Sequence, residues 1–463
     1  MKKDAGKYQN EAFLDLASGS IYLDSMRERK IDLLIPKTVY PPREDSELLF
    51  DIVKNVIKAK GSAIEIGCGT GLISIILAKN DWKVCAFDVN PYAVIATKEN
   101  IQRASVEKLV SVKEGGLGEE GFRIPRETKL VVWNLPYLTP PKENELRLEW
   151  MEEVSMSDLQ GEGWGHRLVE LLEADKDQID PEILILLLQR KYPKSPSNTE
   201  KWNGLGWSHR VLDSKWLFDE KIEVVAYWKP GLGTPVKWIE ECDSTMDEAR
   251  NLPQSGWQRI ITKKQKLGRG RRGNSWISNN EDLLATWSIR KTILNEISPG
   301  ILQVSVGAIV ADTIGQYSKW PNDVVDCKGD KIGGVLVEMD SEHERIRIGV
   351  GINQYSGVID DKKVTGWTET TPDMRLETFF ENIDSKLSTI FEEHPLLDNK
   401  IQGDRIKDKA WNSMSRLLSR GYSLKIKNRE VRIIGMNEQG ELVVLSNGET
   451  QIIQSIDDLR WSF

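Results

Sequence analysis

Lys263-Lys264-Gln265-Lys266-Leu267-Gly268-Arg269-Gly270-Arg271-Arg272-Gly273-Asn274-Ser275-Trp276 is the stretch around which the chain is organised. Its glycines leave the backbone free to fold closely over a ligand. Arg269, Arg271 and Arg272 supply planar donor forks that match phosphate or carboxylate. Taken alone, the run also reads as a solvated or nucleic-acid-binding basic loop. Four further stretches narrow that choice. Asp243-Ser244-Thr245-Met246-Asp247-Glu248 lies upstream, and Lys319-Trp320-Pro321-Asn322-Asp323 downstream. Lys331-Ile332-Gly333-Gly334-Val335-Leu336-Val337-Glu338 and Gly349-Val350-Gly351-Ile352-Asn353 follow.

In this order the set resembles the biotin protein ligases, from about Lys237 to the end of the chain. The resemblance implies two-step chemistry. A biotin carboxylate attacks the α-phosphate of ATP, and a lysine of a biotin carboxyl carrier protein then attacks the biotinyl-adenylate. Both steps build negative charge on oxygen, which fixed cations and N–H groups stabilise. By the same resemblance Ser244, Thr245, Met246, Gln265, Arg269, Gly270, Arg271 and Lys331 bind biotin. Arg271, Trp276, Asn322 and Asn353 bind ATP, Lys331 and Arg271 are catalytic, and Asp323 lies near Mg²⁺ carried by the phosphates. Asn274 departs from the family by replacing an arginine, and Asn280-Glu281-Asp282 replaces a glycine-containing turn. A lipoate or octanoate ligase shares the core architecture and is the rival for this half. Those enzymes generally lack the Gly-Arg-Gly-Arg-Arg-Gly loop.

The length, 463 residues, predicts two or three domains. A net charge of −8 and a sequence pI near 5.4 give no general attraction to nucleic acid or anionic membrane. Cys68, Cys85, Cys242 and Cys327 are scattered without metal-ligand spacing, so reduced thiols are expected rather than zinc. The opening Met-Lys-Lys-Asp-Ala-Gly-Lys precedes no apolar h-region, and no apolar run reaches membrane-spanning length. The expected location is the cytoplasm.

Residues 1–36 suggest no function. After Val39 to Ser46, apolar Leu48, Leu49, Ile52, Val53 and Ile57 fall at helical spacing, with Asp45 or Ser46 able to cap the helix. Strands are predicted at Ala63–Ile66, Val84–Phe87, Leu109–Val112, Leu130–Trp133 and Ile183–Leu188, and helices at Gly71–Ala78 and Pro91–Gln102. Such alternation predicts a mainly parallel, doubly wound α/β sheet. A terminal hairpin over Val211–Leu217 and Ile222–Tyr227 would close it.

Glu65-Ile66-Gly67-Cys68-Gly69-Thr70-Gly71 follows one strand and opens one helix, a weak signal for a ligand that a structural turn also satisfies. Asp88 ends the next strand, where an acid can accept ribose hydroxyls. No neighbouring basic group suggests a ligand phosphate, which favours S-adenosylmethionine over a dinucleotide. Asn134-Leu135-Pro136-Tyr137 ends another strand. Its asparagine can bind an amide or amino group, and Tyr137 can stack on a planar one. An Asx-type loop before Pro136 is the alternative.

With these motifs, residues 39 to about 228 resemble the S-adenosylmethionine-dependent, Rossmann-like methyltransferases that modify release-factor glutamine, nearest their archaeal and eukaryotic branch. Adenine-N6 nucleic-acid methyltransferases share the loop. The resemblance assigns Glu65, Gly67, Gly69, Gly71, Asp88 and Asn134 to S-adenosylmethionine, and Asn134, Leu135, Pro136 and Tyr137 to the methyl acceptor, with Asn134 catalytic. Leu135 replaces the usual proline, and Gly116 stands where an acid contacts the adenine. Residues 1–230 carry 32 Lys and Arg against 37 Asp and Glu, a net of −5, which favours a protein acceptor over nucleic acid. An inert binding module is the rival from another class.

Lys229-Pro230-Gly231-Leu232-Gly233-Thr234-Pro235 reads as a domain boundary. Beyond the ligase-like core, Trp411–Leu418 reads as a helix. Strands at Tyr422–Ile426, Val431–Gly435, Leu442–Leu445 and Gln451–Ile453 then fit an SH3-like β-barrel. The expected domains are therefore 1–229 (methyltransferase-like), 237–420 (α+β ligase) and 421–463 (barrel). The α/β domain stands where biotin ligases often carry a DNA-binding helix-turn-helix, so DNA binding is not expected. A release factor and the carrier protein are the expected partners, and a homodimer is allowed.

Overall fold

A computed structural model describes residues 20–21, 31–138, 157–159, 161–197, 200–278, 281–340, 342–359, 361–397, 403–426, 429–454 and 459–462. The chain divides into two compact units, 1–232 with 394–398, and 233–393 with 399–463.

In the first unit, α1 (Glu44–Asn55) precedes β1 (Ser62–Ile66), α2 (Leu72–Lys79), β2 (Lys83–Asp88), α3 (Pro91–Arg103) and β3 (Val110–Glu114). Then come β4 (Thr128–Asn134), α4 (Gly163–Ala174), β5 (Leu184–Tyr192) and the hairpin β6 (Ser208–Leu217) and β7 (Glu220–Trp228). The sheet order is β3-β2-β1-β4-β5-β7-β6; β1 to β5 run parallel and the hairpin antiparallel, as the sequence led us to expect. Alternation along β4 explains the double winding. Leu130 and Val132 enter the core shared with α1 and α2, whereas Val131 and Trp133 enter the core shared with α4. Asn90 caps α3 by accepting from the Tyr92 amide at 3.0 Å, with Pro91 at the first helical position. The expected cap of α1 is corrected: its N-cap is Arg43, which makes no side-chain cap bond, and Asp45 lies inside the first turn.

The second unit runs β8 (Lys237–Cys242), β9 (Gln258–Gln265), a small hairpin of β10 (Gly268–Arg269) and β11 (Ser275–Trp276), and β12 (Leu283–Arg290). It continues through α5 (Pro299–Thr313), β13 (Tyr317–Lys319), β14 (Asp323–Val325), β15 (Lys331–Asp340) and β16 (Arg345–Ile352). The strand pair β17 (Gly357–Ile359) and β18 (Lys362–Val364) and the helices α6 (Leu376–Phe391) and α7 (Gly403–Leu418) follow. The main path of the sheet is β8-β9-β12-β16-β15-β14-β13, antiparallel apart from β8 on β9. Trp287 stacks on Phe380 of α6, ring centroids 5.4 Å apart. Beneath them Asp384 accepts from the indole N–H groups of Trp257 and Trp287, each at 2.8 Å, and pairs with Arg259 at 2.9 Å.

The last strands, β19 (Ser423–Ile426), β20 (Arg429–Met436), β21 (Leu442–Ser446), β22 (Glu449–Ile453) and β23 (Leu459–Ser462), form one antiparallel sheet ordered β22-β21-β20-β19-β23. The α7 helix begins well before the predicted Trp411. The β23 strand and the helices α5 and α6 were not anticipated from the sequence.

Candidate active sites

In the first unit the parallel register brings three strand ends together. Ile66 of β1 lies beside Phe87 of β2 on one side and Trp133 of β4 on the other. The Gly67–Gly71 loop, Asp88 and Asn134 therefore share the carboxyl edge of the sheet. The chain reverses its winding between β1 and β4, and ligands of open α/β sheets bind in the crevice at such a point. Gly71 permits the tight turn there: its φ is +81°, and a Cβ would lie 2.8 Å from Thr97 Cγ2. Asp88 accepts from the Gly69 amide at 2.8 Å and from the Asn90 amide at 2.9 Å. Burial raises its pKa against the pull of those two bonds. Each carboxylate oxygen keeps a lone pair for a further donor.

Glu65 is placed differently from its expected role. It is 5% exposed, accepts from the Ser74 hydroxyl on α2, and burial pushes its pKa up to about 8. A side chain so engaged braces the start of α2 beneath the loop. Gly116 leaves ordinary contact space beside Val89 and Ile66, with no acid to meet an adenine.

Asn134 donates through Nδ2 to Asp45 Oδ2 at 2.9 Å, and its Oδ1 is buried with no hydrogen-bond partner among the described residues. One of the two amide N–H groups is thus engaged, and Oδ1 keeps its acceptor lone pairs. Leu135 is fully buried, its amide donating to the Leu188 carbonyl at 3.1 Å. Tyr137 is 6% exposed in the core, with the Arg190 guanidinium 5.8 Å from its ring centroid. Burial drives its hydroxyl pKa upward. Its expected stacking on a substrate is corrected accordingly: the ring packs inward. Asp45, buried beside Asn134, was read only as a helix cap; its pairing across 89 positions left no sequence signal.

In the second unit the loop of the opening stretch folds as a hairpin over a cavity of about 440 Å³. Among the described residues, Arg269, Arg271, Lys319 and Lys331 line it, with Asp323 as the one carboxylate. Such a wall suits an anion, and one carboxylate suits Mg²⁺ held mainly on phosphate oxygens. Lys331 Nζ lies 2.7 Å from Asp323 Oδ1 and 5.6 Å from the centre of the Trp276 ring. Arg269 bonds Asp247 at 3.0 Å and approaches Glu338 at 3.5 Å. Burial lowers the pKa of Arg271, helped by Arg272 and opposed by Asp323.

Gln265 accepts from the Thr245 amide at 2.8 Å and from its hydroxyl at 3.1 Å; the Thr286 hydroxyl in turn donates to Thr245 at 2.9 Å. Gly351 lets the Trp276 ring lie on the sheet, since a Cβ there would sit 2.7 Å from the indole. Asn322 donates to the Val335 carbonyl at 3.1 Å. Among the described residues Ser244 Oγ, Arg271 Nη1 and Trp276 Nε1 are buried without partners. The Ser244 hydroxyl can donate and accept, and Arg271 Nη1 and Trp276 Nε1 can donate.

Of the residues predicted for this half, Ser244, Thr245, Met246, Gln265, Arg269, Gly270, Arg271, Trp276, Asn322, Asp323 and Lys331 meet in the cavity. Asn353 does not line it. It is 2% exposed, with Oδ1 unpartnered among the described residues and its amide bonded to the Ile332 carbonyl at 2.8 Å. Leu459 and Trp461 of β23 join the lining and had not been foreseen.

Fold and sites define a chain of two fused units: a doubly wound one with a glycine-rich loop at the carboxyl edge of its sheet, and an α+β one with a cationic cavity under a glycine- and arginine-rich loop. Residues 44–163 match the methyltransferase small domain, and residues 238–353 match the biotin/lipoate A/B protein ligase family. A putative protein N5-glutamine methyltransferase of Methanocaldococcus jannaschii is 40% identical over 117 residues, 25% of this chain and 55% of that protein. The biotin–[acetyl-CoA-carboxylase] ligase of Paracoccus denitrificans is 28% identical over 127 residues, 25% of this chain and 52% of that protein. The chain thus spans about half the length of these curated relatives. Among solved structures, the biotin protein ligase from Aquifex aeolicus in complex with biotin and ATP is 21% identical, with a TM-score of 0.39 over 50% of this chain and 99% of that one.

Proposed function

We propose that the second unit is a biotin protein ligase that forms biotinyl-adenylate from biotin and ATP and passes the biotinyl group to a lysine of a biotin carboxyl carrier protein. One observation carries it: among the described residues, four cations and one carboxylate, Asp323, line one cavity of about 440 Å³, and three side chains of that lining hold buried polar atoms without partners. In this reading Arg269, Arg271 and Lys331 neutralise the carboxylate and α-phosphate as charge builds on oxygen. Ser244, Thr245 and Gln265 meet the ureido ring, Trp276 and Asn322 the adenylate. Mg²⁺ would neutralise the phosphates beside Asp323. Biotin-dependent exchange of labelled pyrophosphate into ATP tests the first step.

The first unit is proposed to transfer a methyl group from S-adenosylmethionine to a protein glutamine, with a translation release factor as the substrate class. Asn134 Oδ1 accepts an N–H of the acceptor amide and aims its nitrogen, while Asp88 holds the cofactor ribose and the Gly67–Gly71 loop its amino-acid end. Asp45, holding the Asn134 –NH₂, makes this an acceptor site for N–H donors. Release factor, RNA and duplex DNA offered separately with labelled cofactor decide the substrate, with Asn134→Ala as the blank.

The proposal assigns 1–229, 237–420 and 421–463 as domains, the last curling into an SH3-like barrel whose β23 completes the ligase cavity. No described helix is long and apolar enough to cross a membrane. The cysteines are free, which accords with a cytoplasmic home. A homodimer is carried on the family resemblance alone.

A further inference from the structure

We propose that Tyr192, at the end of β5, and Trp216 and Phe218, at the tip of the β6–β7 hairpin, form the surface on which the methyl-accepting polypeptide docks; this rests on reading the first unit as a protein methyltransferase. The three rings are 59%, 59% and 90% exposed. Tyr192 and Trp216 lie 6.0 Å apart and tilted by 55°, both beside Lys221 in the strand register. Large aromatics left in water together, rather than singly, mark an interaction surface.

Topology puts this rim next to the acceptor loop. Asn134 pairs with Leu188 across β4 and β5, and β5 then runs on past that edge to Tyr192. The hairpin turns at Phe218 on the same edge. Side chains join the two places. Arg190 faces the Tyr137 ring at 5.8 Å and bonds Glu220 of the hairpin at 2.7 Å. Lys215 comes within 3.9 Å of Glu47, two residues from the Asp45 that holds Asn134.

The chemistry favours a polypeptide. The hairpin over 208–223 carries Asp213, Asp219, Glu220 and Glu223 against Arg210, Lys215 and Lys221, and residues 1–230 carry a net of −5, with Lys191 and Lys194 beside Tyr192 a local exception. A nucleic-acid platform needs an extended basic surface around its rings. Strand addition is disfavoured too, because edge strand β6 carries a bulge between Val211 and Asp213 and an exposed lysine. Side chains, not a β-ladder, therefore make the contact: apolar groups flanking the methylated residue pack on the three rings.

The experiment compares the full chain with Trp216→Ser/Phe218→Ser, using a release factor and, separately, a short glutamine-containing peptide from its methylated loop. Both substitutions are at exposed positions, and circular dichroism with S-adenosylmethionine binding verifies the fold. The expected result is a KM for the release factor raised at least about tenfold, with kcat, cofactor binding and peptide methylation unchanged. An unchanged KM for the release factor overturns the docking surface, as does a variant that differs only by losing self-association. Loss of methylation confined to RNA or DNA overturns the polypeptide as occupant. A parent chain that methylates none of these acceptors overturns the enzymatic reading first, and the docking proposal with it.

Discussion

The Asn134 carboxamide and the Asp45 carboxylate meet at 2.9 Å across 89 positions of sequence. The bond engages one N–H of Nδ2, and Oδ1 is buried without a hydrogen-bond partner among the described residues, so Asp45 fixes the orientation of the amide. Asp45 also accepts from the Ser46 amide at 2.6 Å, which anchors it in the first turn of α1. Asp45→Ala frees Asn134 to turn, and kcat for methyl transfer is expected to fall about tenfold to a hundredfold. S-adenosylmethionine affinity stays unchanged. Asp45→Asn retains an acceptor oxygen and restores part of the rate, which loss of folding alone would not allow.

Lys331 provides the parallel case in the second unit, where its ammonium is held by Asp323 at 2.7 Å. Lys331→Ala removes a cation from the adenylation transition state, a loss of about 3 kcal/mol or roughly a hundredfold in rate. Pyrophosphate exchange measures it, and full activity in the variant refutes the role.

Glu65 makes the stability of the first unit depend on pH. Its folded pKa, about 8, lies above the ordinary carboxylate value of 4.5, so between the two the folded state holds a proton that the unfolded chain has lost. Stability is therefore greatest below 4.5 and declines as pH rises to about 8, by at most about 1.4 kcal/mol per pH unit. Above that range both states are ionised and this contribution levels off. Denaturant titration of Glu65→Gln across the window is expected to show the slope reduced.

Asp384 is predicted to be the most sensitive polar position under the second sheet. It is 4% exposed and satisfies two indoles and one guanidinium. Asp384→Ala leaves Arg259 buried without its carboxylate and should cost about 3–5 kcal/mol. The unfolding midpoint measures the loss.

What could be read from the sequence was local. The run Glu65 to Gly71, the strand–helix alternation around it and the order of the ligase-like stretches all depend on neighbours in the chain. Short-range pattern reports these directly. What escaped was set by pairings between distant elements. Asp45 looked like a helix cap because its partner lies in another strand's exit loop. Trp461 carried no signal because only the path of β23 brings it to the cavity. Glu65 and Tyr137 fit their motifs by type, yet packing against α2 and beside Arg190 turned both inward. Asn353 was likewise named from a motif; it follows the last residue of β16, is buried and is not part of the cavity lining.

The most direct measurement of the central claim is mass spectrometry of a biotin carboxyl carrier domain incubated with the purified chain, biotin, ATP and Mg²⁺. One biotinyl group on one lysine, absent when ATP is omitted and strongly reduced with Lys331→Ala, is the predicted result. An unmodified carrier, or one that takes lipoate or octanoate in place of biotin, would contradict the account.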